Sequence, residues 1–173
     1  DGFTINGFAY AAGDTATIDD VGTLTIDADG GFTFTPLPNW NGEVPTVTYV
    51  TTTGGESTLD ITVTSVDDPS TLAADTAETE EDTPAAGNVL DNDVDVDDIL
   101  AVASFAVGGS SFSAGDVATV DGVGEITIAA NGSFTFTPAA DWNGTVPTVT
   151  YTTTTGFTST LDITVKNNLA TIS

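Results

Sequence analysis

Carboxylates are the only chemically active side chains that this sequence carries in number. The 173 residues include 26 Asp and Glu, one Lys or Arg (Lys166) and no His or Cys, for a formal net charge of −25. Nucleophilic sites built on Ser/His/Asp or Cys/His are therefore excluded. A carboxylate pair could still hydrolyse glycosides, but one acid would need a raised pKa in an apolar cleft. Because the acids lie in polar runs, we expect no enzymatic activity.

The acids are concentrated in one part of the chain. Nearly half of them fall between Asp67 and Asp98, an interval without a single base. Like charges at this density repel one another and destabilise a folded module unless cations compensate. Hard oxygen ligands favour Ca²⁺ over Mg²⁺, which demands a tighter octahedron. The sequence therefore predicts bound Ca²⁺. The alternatives are solubility, adaptation to salty water, or an acidic hinge with loosely held counterions.

The spacing of the acids after residue 90 predicts how they would be presented. Aspartates occupy the odd positions 91–97, between two predicted strands. In an extended conformation the four carboxylates would share one side, while Val94 and Val96 would face the core. The run is not an EF-hand. Counted from Asp93, the sixth position is Asp98 rather than Gly, and the twelfth is Ser104 rather than Glu.

Two further acidic groups fall where modules would join. Asp67 and Asp68 follow the last predicted strand of a first unit, and Glu81 and Asp82 come early in a second unit. We expect the incoming linker, the first strand and the loop that carries residues 91–98 to lie near the same end of the second unit. A cation held there by linker and module together would lock the joint.

The elements that must position these acids are repeated within the chain. Trp40 recurs as Trp142, an offset of 102 residues, and the pattern "FTFTP…WNG.VPTVTY" is carried over without a gap. Such self-similarity is the signature of tandem modules. The repeated tryptophan could stack on a sugar ring, but we favour packing against the core, since a single Trp commonly anchors a sandwich of this size.

The offset also predicts the domain edges. A complete unit spans residues 67–168, and residues 1–66 form an incomplete first unit that lacks the counterpart of 67–102. Either the chain is cut there or another chain supplies the missing part. Residues 169–173 form a C-terminal tail without the acidic linker, so the second unit would end the array or join its neighbour more flexibly.

Short β-branched runs predict the secondary structure of each unit. The predicted strands of the second unit are 72–79, 85–91, 99–107, 117–120, 124–129, 133–137, 147–153 and 158–165. Asn131-Gly132 and Asp29-Gly30 predict type I′ hairpin turns. Seven or eight short strands in about 100 residues indicate an all-β fold of tandem Greek-key β-sandwiches.

One known family shares these motifs. "DTAETEEDTP…NVLDNDVDVDDIL" followed by "GSFTFTP…DWNGTVPTVTYT" resembles the cadherin-like or VCBS-type immunoglobulin-like repeats of giant bacterial RTX adhesins exported by type I secretion. The resemblance implies secreted, cell-surface extender modules, stiffened by Ca²⁺, that project a ligand-binding region for cell adhesion or biofilm formation. It also implies that the partners are adjacent repeats of the same protein.

The resemblance places the family's cation-binding residues at Glu81, Asp82, Asn92, Asp93, Asp95 and Asp97. Asp98-Ile99 departs from the Gly-Asp that the family usually has before its next strand. Together with the linker acids, the predicted metal ligands are Asp67, Asp68, Glu81, Asp82, Asn92, Asp93, Asp95, Asp97 and Asp98.

The charge excludes some partners and leaves other functions open. Nucleic acid binding and adsorption to anionic lipid both require the Lys and Arg that this chain lacks, and no apolar run is long enough to insert into a membrane. Two alternatives to the stalk remain: a lectin-like ligand-binding domain, and a self-assembling extracellular filament in which strands from a neighbouring chain complete the first unit.

Overall fold

The computed structural model describes residues 1–168 and confirms the prediction of an all-β protein. The chain forms two compact units, Asp1–Asp67 and a second unit that begins at Asp68. The predicted tail, residues 169–173, lies outside the described residues, as does the expectation attached to it. No helix among residues 1–168 is long and apolar enough to cross a membrane.

Unit 2 is a sandwich of two sheets. Its strands are β10 (Asp75–Glu80), β11 (Ala85–Asn88), β12 (Val102–Val107), β13 (Ser110–Ser113), β14 (Val117–Val120), β15 (Gly124–Ile128), β16 (Ser133–Pro138), β17 (Gly144–Thr145), β18 (Val149–Thr153) and β19 (Thr158–Lys166). One sheet has the order β10-β19-β18-β12-β13, with β17 also pairing with β19, and the other has the order β11-β16-β15-β14. Apart from the parallel pair β10–β19, every strand pairing among residues 68–168 is antiparallel.

Alternation of side chains builds the core between these sheets. In β16 every second residue is buried, beginning with Phe134 and Phe136, while the threonines between them face solvent. Leu161, Ile163 and Val165 of β19 are buried in the same alternating manner. This period of two is what a strand with one solvated face requires. Trp142 packs half-buried against this core, as predicted for the repeated tryptophan.

Unit 1 repeats this arrangement with fewer strands. They are β1 (Gly2–Ile5), β2 (Phe8–Ala11), β3 (Thr15–Ile18), β4 (Gly22–Ile26), β5 (Phe32–Pro36), β6 (Gly42–Glu43), β7 (Val47–Val50), β8 (Glu56–Leu59) and β9 (Thr62–Val63). Their sheets have the orders β2-β1-β7-β8, β3-β4-β5 and β6-β9. Unit 1 contains no strand that corresponds to β10 or β11.

The missing strands alter the strands that they would contact. In unit 2 the last strand is continuous because residues 161–166 pair with β10. In unit 1 the same sequence, LDITV, is broken at Asp60-Ile61 into β8 and β9. Likewise β16 pairs with β11 on one side, whereas β5 pairs only with β4. As a result Phe32 is 52% exposed, while Phe134 at the same position of unit 2 is 5% exposed.

The predicted turn type is wrong at residues 131–132 and 29–30. Both hairpins exist, β15–β16 and β4–β5, but only the glycine has a positive φ (Gly132, 85°), whereas a type I′ turn needs two such residues. The turns with two positive φ values are Asn6-Gly7 and Gly108-Gly109. They close the hairpins β1–β2 and β12–β13, whose second strands were not predicted.

Because the repeat provides matched positions, it allows a direct test of the missing strands. Replacing Phe134 by Ala should cost unit 2 about 3–5 kcal/mol of unfolding free energy, since the ring is buried. Replacing Phe32 by Ala should cost unit 1 less than about 1 kcal/mol, since this ring is half in solvent already. Urea unfolding followed by fluorescence of the single remaining Trp, in Trp40→Phe or Trp142→Phe backgrounds, separates the two units. Equal costs at the two positions would contradict this account of unit 1.

Candidate metal-binding site

The loop that carries most of the predicted ligands is not extended. Residues 89–100, here the acidic loop, form turns and a bend around one isolated bridge, in which the Val94 amide donates to the Thr71 carbonyl at 2.9 Å and the Thr71 amide donates back at 2.8 Å. Asp93 and Asp95 point inward and are half-buried, whereas Val94 and Val96 are 58% and 54% exposed. The prediction that the valines face the core is therefore wrong.

The orientation is reversed because the carboxylates are acceptors for donors that the fold brings beside them. One oxygen of Asp93 accepts the Ala73 amide at 2.8 Å, and the other accepts the Tyr151 hydroxyl at 2.7 Å. A hydrogen bond to an ionised acceptor is about twice as strong as a neutral one. These bonds hold the acidic loop against the segment that leads into β10.

Asp95 and Asp97 hold the same segment nearer its start. Asp95 accepts the Ser70 hydroxyl at 2.5 Å and, with its other oxygen, the amides of Asp97 and Asp98 at 2.9 and 2.8 Å. Asp97 in turn accepts the Asp68 amide at 2.6 Å. Residues 68–73, here the entering segment, are thus fixed to the body of unit 2 by three consecutive odd-numbered aspartates.

A buried tyrosine hydroxyl lies at the centre of these contacts. Tyr151 is fully buried, and its hydroxyl lies 2.7 Å from Asp93, 2.9 Å from the Val89 carbonyl and 3.2 Å from Asp75. A phenol donates only one hydrogen, so this hydroxyl is surrounded by more acceptors than it can satisfy. Burial, the bond to Asp93 and the negative charges of both carboxylates raise the pKa of Tyr151, which stays protonated at neutral pH.

The two carboxylates that flank this region respond in opposite directions. The pKa of Asp75 is raised, chiefly by burial and further by the charges of Asp93 and Asp91, against the hydrogen bonds from Tyr151 and Asn92. Hydrogen bonds from Ser70 and from the two loop amides lower the pKa of Asp95. Folding therefore disfavours the ionised form of Asp75 and favours the ionised form of Asp95.

Glu81 and Asp82 lie at the other end of β10. Asp82 accepts the Asp141 amide at 3.0 Å, and Glu81 accepts the Asn143 side chain at 3.3 Å and the Asn168 amide at 3.0 Å. At about 3.3 Å per residue, the six residues of β10 separate these acids from the entering segment by roughly 16–20 Å. The expectation that the early acids and the acidic loop share one end is therefore wrong.

The predicted ligands consequently form two groups. Asp68, Asn92, Asp93, Asp95 and Asp97 lie around the entering segment, Glu81 and Asp82 lie at the far end, and Asp67 and Asp98 are exposed. Within residues 1–168, no three acidic side chains converge closely enough to hold an ion as they stand. The donor chemistry still fits Ca²⁺, because every candidate offers oxygen and each carboxylate has lone pairs beyond those its hydrogen bonds use.

Three contributors to this region were not identified from the sequence: Tyr151, Asp75 and Ser70. Tyr151 lies far from the acids in sequence and belongs to a strand whose alternating pattern predicts a core position for its side chain. Asp75 opens an alternating strand, "DTAETE", in which its side chain faces inward. The available signal in the sequence was the position of Asp75 on the inward face of its strand, because a polar side chain there needs hydrogen-bond partners.

The hydroxyl of Tyr151 should stabilise unit 2 measurably. Replacing it by Phe leaves buried acceptors without a donor, so we expect a loss of about 1–3 kcal/mol of unfolding free energy. The matched control is Tyr49→Phe in unit 1, where no acidic loop exists and the cost should be within about 0.5 kcal/mol. Urea unfolding monitored by the single Trp of each unit measures both. If Tyr151→Phe costs no more unfolding free energy than the control, the hydroxyl does not stabilise unit 2 in this way.

Asp75 and Asp95 should respond oppositely to loss of charge. A raised folded pKa means that the stability contributed by Asp75 is present below its unfolded pKa of 3.8 and is lost as pH rises through the folded value. Asp75→Asn should therefore raise the Tm of unit 2 at pH 7, with the gain vanishing near pH 3. The lowered pKa of Asp95 gives stability above pH 3.8 that is lost on acidification, so Asp95→Asn should lower the Tm at pH 7. Melting curves in EDTA from pH 3 to 7 that showed shifts of the same sign would contradict both assignments.

Comparison with known proteins places this geometry in a family. Residues 67–167 match the model of the bacterial cadherin-like domain, and no curated protein matches the chain. The chain is similar to SGBP-B of the Bacteroides ovatus mixed-linkage glucan utilization locus, solved in complex with a mixed-linkage heptasaccharide (16% identity, TM-score 0.27), covering 96% of this chain and 38% of that one. It is also similar to a glycosyl hydrolase family 2 member from Bacteroides cellulosilyticus (18% identity, TM-score 0.29), covering 95% of this chain and 21% of that one.

The chain spans less than two fifths of the length of either solved protein. Likenesses at these TM-scores do not bear on its activity. The family match extends over more than half of the chain and coincides with the two-sheet unit that carries the acidic loop. The chain belongs to the bacterial cadherin-like domain family.

Proposed function

We propose that this chain is a pair of extender modules from the stalk of a bacterial cell-surface adhesin. The observation that supports this proposal most directly is the set of hydrogen bonds that attach the entering segment to the acidic loop of unit 2. Asp97 and Asp95 bind the backbone of Asp68 and the side chain of Ser70, so the chain that follows unit 1 is held on unit 2 from its first residue. Such an ordered first segment suits an extender module, because the chain enters the module there.

The tandem repeat supports the same role. From residue 103 onward unit 2 repeats unit 1 without insertion or deletion, so every turn has the same length in both copies. A ligand-binding domain would be expected to differ from its neighbour in the loops that contact the ligand. Modules whose purpose is length and spacing have no such requirement. The chain has no His or Cys and a single Lys, and its carboxylates lie in polar runs, so the proposed role is structural rather than enzymatic.

Calcium is the proposed cofactor of these modules. Asp93, Asp95 and Asp97 would hold it together with the linker acids Asp67 and Asp68, with Asn92 and Asp98 beside them. Glu81 and Asp82 would serve a separate position at the other end of β10. Bound Ca²⁺ would supply positive charge to a region that has none of its own. The protein's own residues fix the loop and the entering segment in place.

The proposed location is outside the bacterial cell. Extracellular Ca²⁺ is abundant enough to occupy sites of modest affinity, and a net charge of −25 keeps projecting modules apart from one another. The parent protein would be a type I-secreted RTX adhesin with further repeats as neighbours, and its adhesive region would act in attachment or biofilm formation.

Calcium should raise the melting temperature of unit 2. A ligand at about 100 times its Kd stabilises the folded state by about 2.7 kcal/mol, which corresponds to several degrees for a domain of this size. The double variant Asp95→Asn/Asp97→Asn should lose the calcium-dependent shift. Asp121→Asn, an exposed acid of unit 2 outside the acidic loop, should keep it. Calorimetry and isothermal titration of the full chain measure the shift and the stoichiometry.

Screening must be separated from binding in this experiment. NaCl at matched ionic strength should reproduce only a small part of the calcium effect. Identical melting curves in Ca²⁺ and in EDTA would reject the calcium site. Small-angle scattering with and without Ca²⁺ tests the stalk itself, because a stiffened array should become more extended and less variable. Unchanged dimensions would count against it.

A further inference from the structure

The first and last strands of unit 2 lie side by side and run in the same direction. β10 is the first strand after the entering segment, and β19 is the last strand described in the unit. They pair in parallel and in register from Asp75 opposite Leu161 to Glu80 opposite Lys166. The chain therefore enters the unit at one end of this ladder, here the β10–β19 ladder, and leaves it at the other end.

This placement decides how tension along the chain acts on the ladder. Tension pulls β10 toward its first residue, Asp75, and pulls β19 toward its last residue, Lys166. In parallel neighbours these two residues lie at opposite ends, so the strands are pulled past each other and their hydrogen bonds are loaded together. In antiparallel neighbours both pulled residues would lie at the same end, and the hydrogen bonds would break one at a time from there.

β10 is the strand that would move under such tension. It forms the edge of its sheet and pairs only with β19, whereas β19 also pairs with β18 and β17. The inward side chains of β19, Leu161, Ile163 and Val165, are buried in the core, while every residue of β10 is at least partly exposed. Resistance to tension thus depends on the hydrogen bonds that join β10 to β19.

Contacts at both ends hold β10 in register with β19. At the far end, the Glu81 amide donates to the Lys166 carbonyl at 2.8 Å, and the Asn168 amide donates to a Glu81 carboxylate oxygen at 3.0 Å. At the near end, Asp93 accepts the Ala73 amide at 2.8 Å, just before β10 begins. A slip of β10 by one residue would break all of these contacts and would turn its inward residues outward. The ladder is therefore specified in a single register.

We infer that unit 2 is built to bear tension, with the β10–β19 ladder as the element that resists it. The inference rests on the proposed stalk function, because a stalk module carries load along its chain. While the ladder holds, force passes directly from β10 to β19, and the strands between them in sequence are shielded from it. Forced unfolding is governed by the unfolding rate rather than by the equilibrium free energy, so the direction of pulling decides the outcome.

Pulling on the full chain in two directions tests this inference. The sequence has no Cys, so two introduced Cys residues give defined points of attachment at exposed positions. Asp67→Cys with Asn167→Cys loads the ladder along its length, and Thr83→Cys with Asn167→Cys pulls the same two strands apart from one end. In EDTA at the same constant force, the first pair should give a folded lifetime at least about tenfold longer, because several hydrogen bonds must break together. Equal lifetimes would overturn the inference.

Proline substitutions in β10 then test whether the ladder is the resisting element. The Glu81 amide faces β19, and amides alternate in direction along a strand, so the Ala77 amide also faces β19 and the Thr76 amide faces solvent. With the Asp67/Asn167 attachment, Ala77→Pro should shorten the lifetime by at least about fivefold, the factor that corresponds to one typical hydrogen bond. Thr76→Pro is the matched control and should shorten it by less than about twofold. Equal shortening by the two prolines would also overturn the inference.

The outcomes separate the ladder from the stalk itself. If the two attachments give equal lifetimes while small-angle scattering shows an array that Ca²⁺ extends, the stalk proposal stands and the ladder is not what resists tension in it. If Ala77→Pro does not fold, the two attachments in the otherwise unchanged chain decide alone. A longer lifetime along the ladder than across its end then supports the inference, and equal lifetimes reject it.

Discussion

The structure depends on covering two apolar strand faces with a segment that precedes them in sequence. The inward side chains of β16 and β19 are fully buried where β10 and β11 lie beside them, whereas their unit 1 counterparts Phe34, Leu59 and Ile61 are only partly buried against the unit 1 core. The two copies allow a direct comparison, because the strand sequences FTFTP and LDITV occur in both and only the second copy has β10 and β11. Where they are missing, Phe32 stands half in solvent and LDITV breaks into two short strands. A strand sequence is thus compatible with the fold, but its partner decides whether it is continuous and buried.

Hydrogen bonds to the carboxylates of the acidic loop offset the repulsion between them. Aspartates packed this closely repel one another, yet Asp93, Asp95 and Asp97 each accept an amide or hydroxyl donor from the entering segment, from β18 or from the loop itself. Charge-assisted hydrogen bonds of this kind are among the stronger ones in proteins. The carboxylates therefore tie the loop, the entering segment and the core tyrosine together before any cation is considered. The residual negative charge is what makes a cation the natural further partner.

Tyr151 connects these two features. It belongs to the core by burial and to the acidic loop by its hydroxyl, so covering the core and ordering the loop are the same event. Tyr49 has the same sequence context but no acidic loop above it, and its ring is only half-buried. A repeat unit of this kind is complete only when the segment ahead of it has folded back over it. Completion of one unit and attachment of the chain that enters it are therefore coupled.

The sequence by itself determined the all-β class, the 102-residue repeat and most strands of the second unit. Each of these depends on local signals: alternation, turn residues and identity at a fixed offset. The turn type at Asn131-Gly132 could not be read in this way, since Asn and Gly also suit a turn in which the glycine alone has a positive φ. Only the tertiary structure decided which way the acidic loop faces and which acids share an end. Asp93 and Asp95 turn inward because donors from residues 70, 73 and 151 meet them there, and those donors are adjacent only after folding. Glu81 and Asp82 are close to the loop in sequence, but the length of β10 carries them to the opposite end of the sandwich.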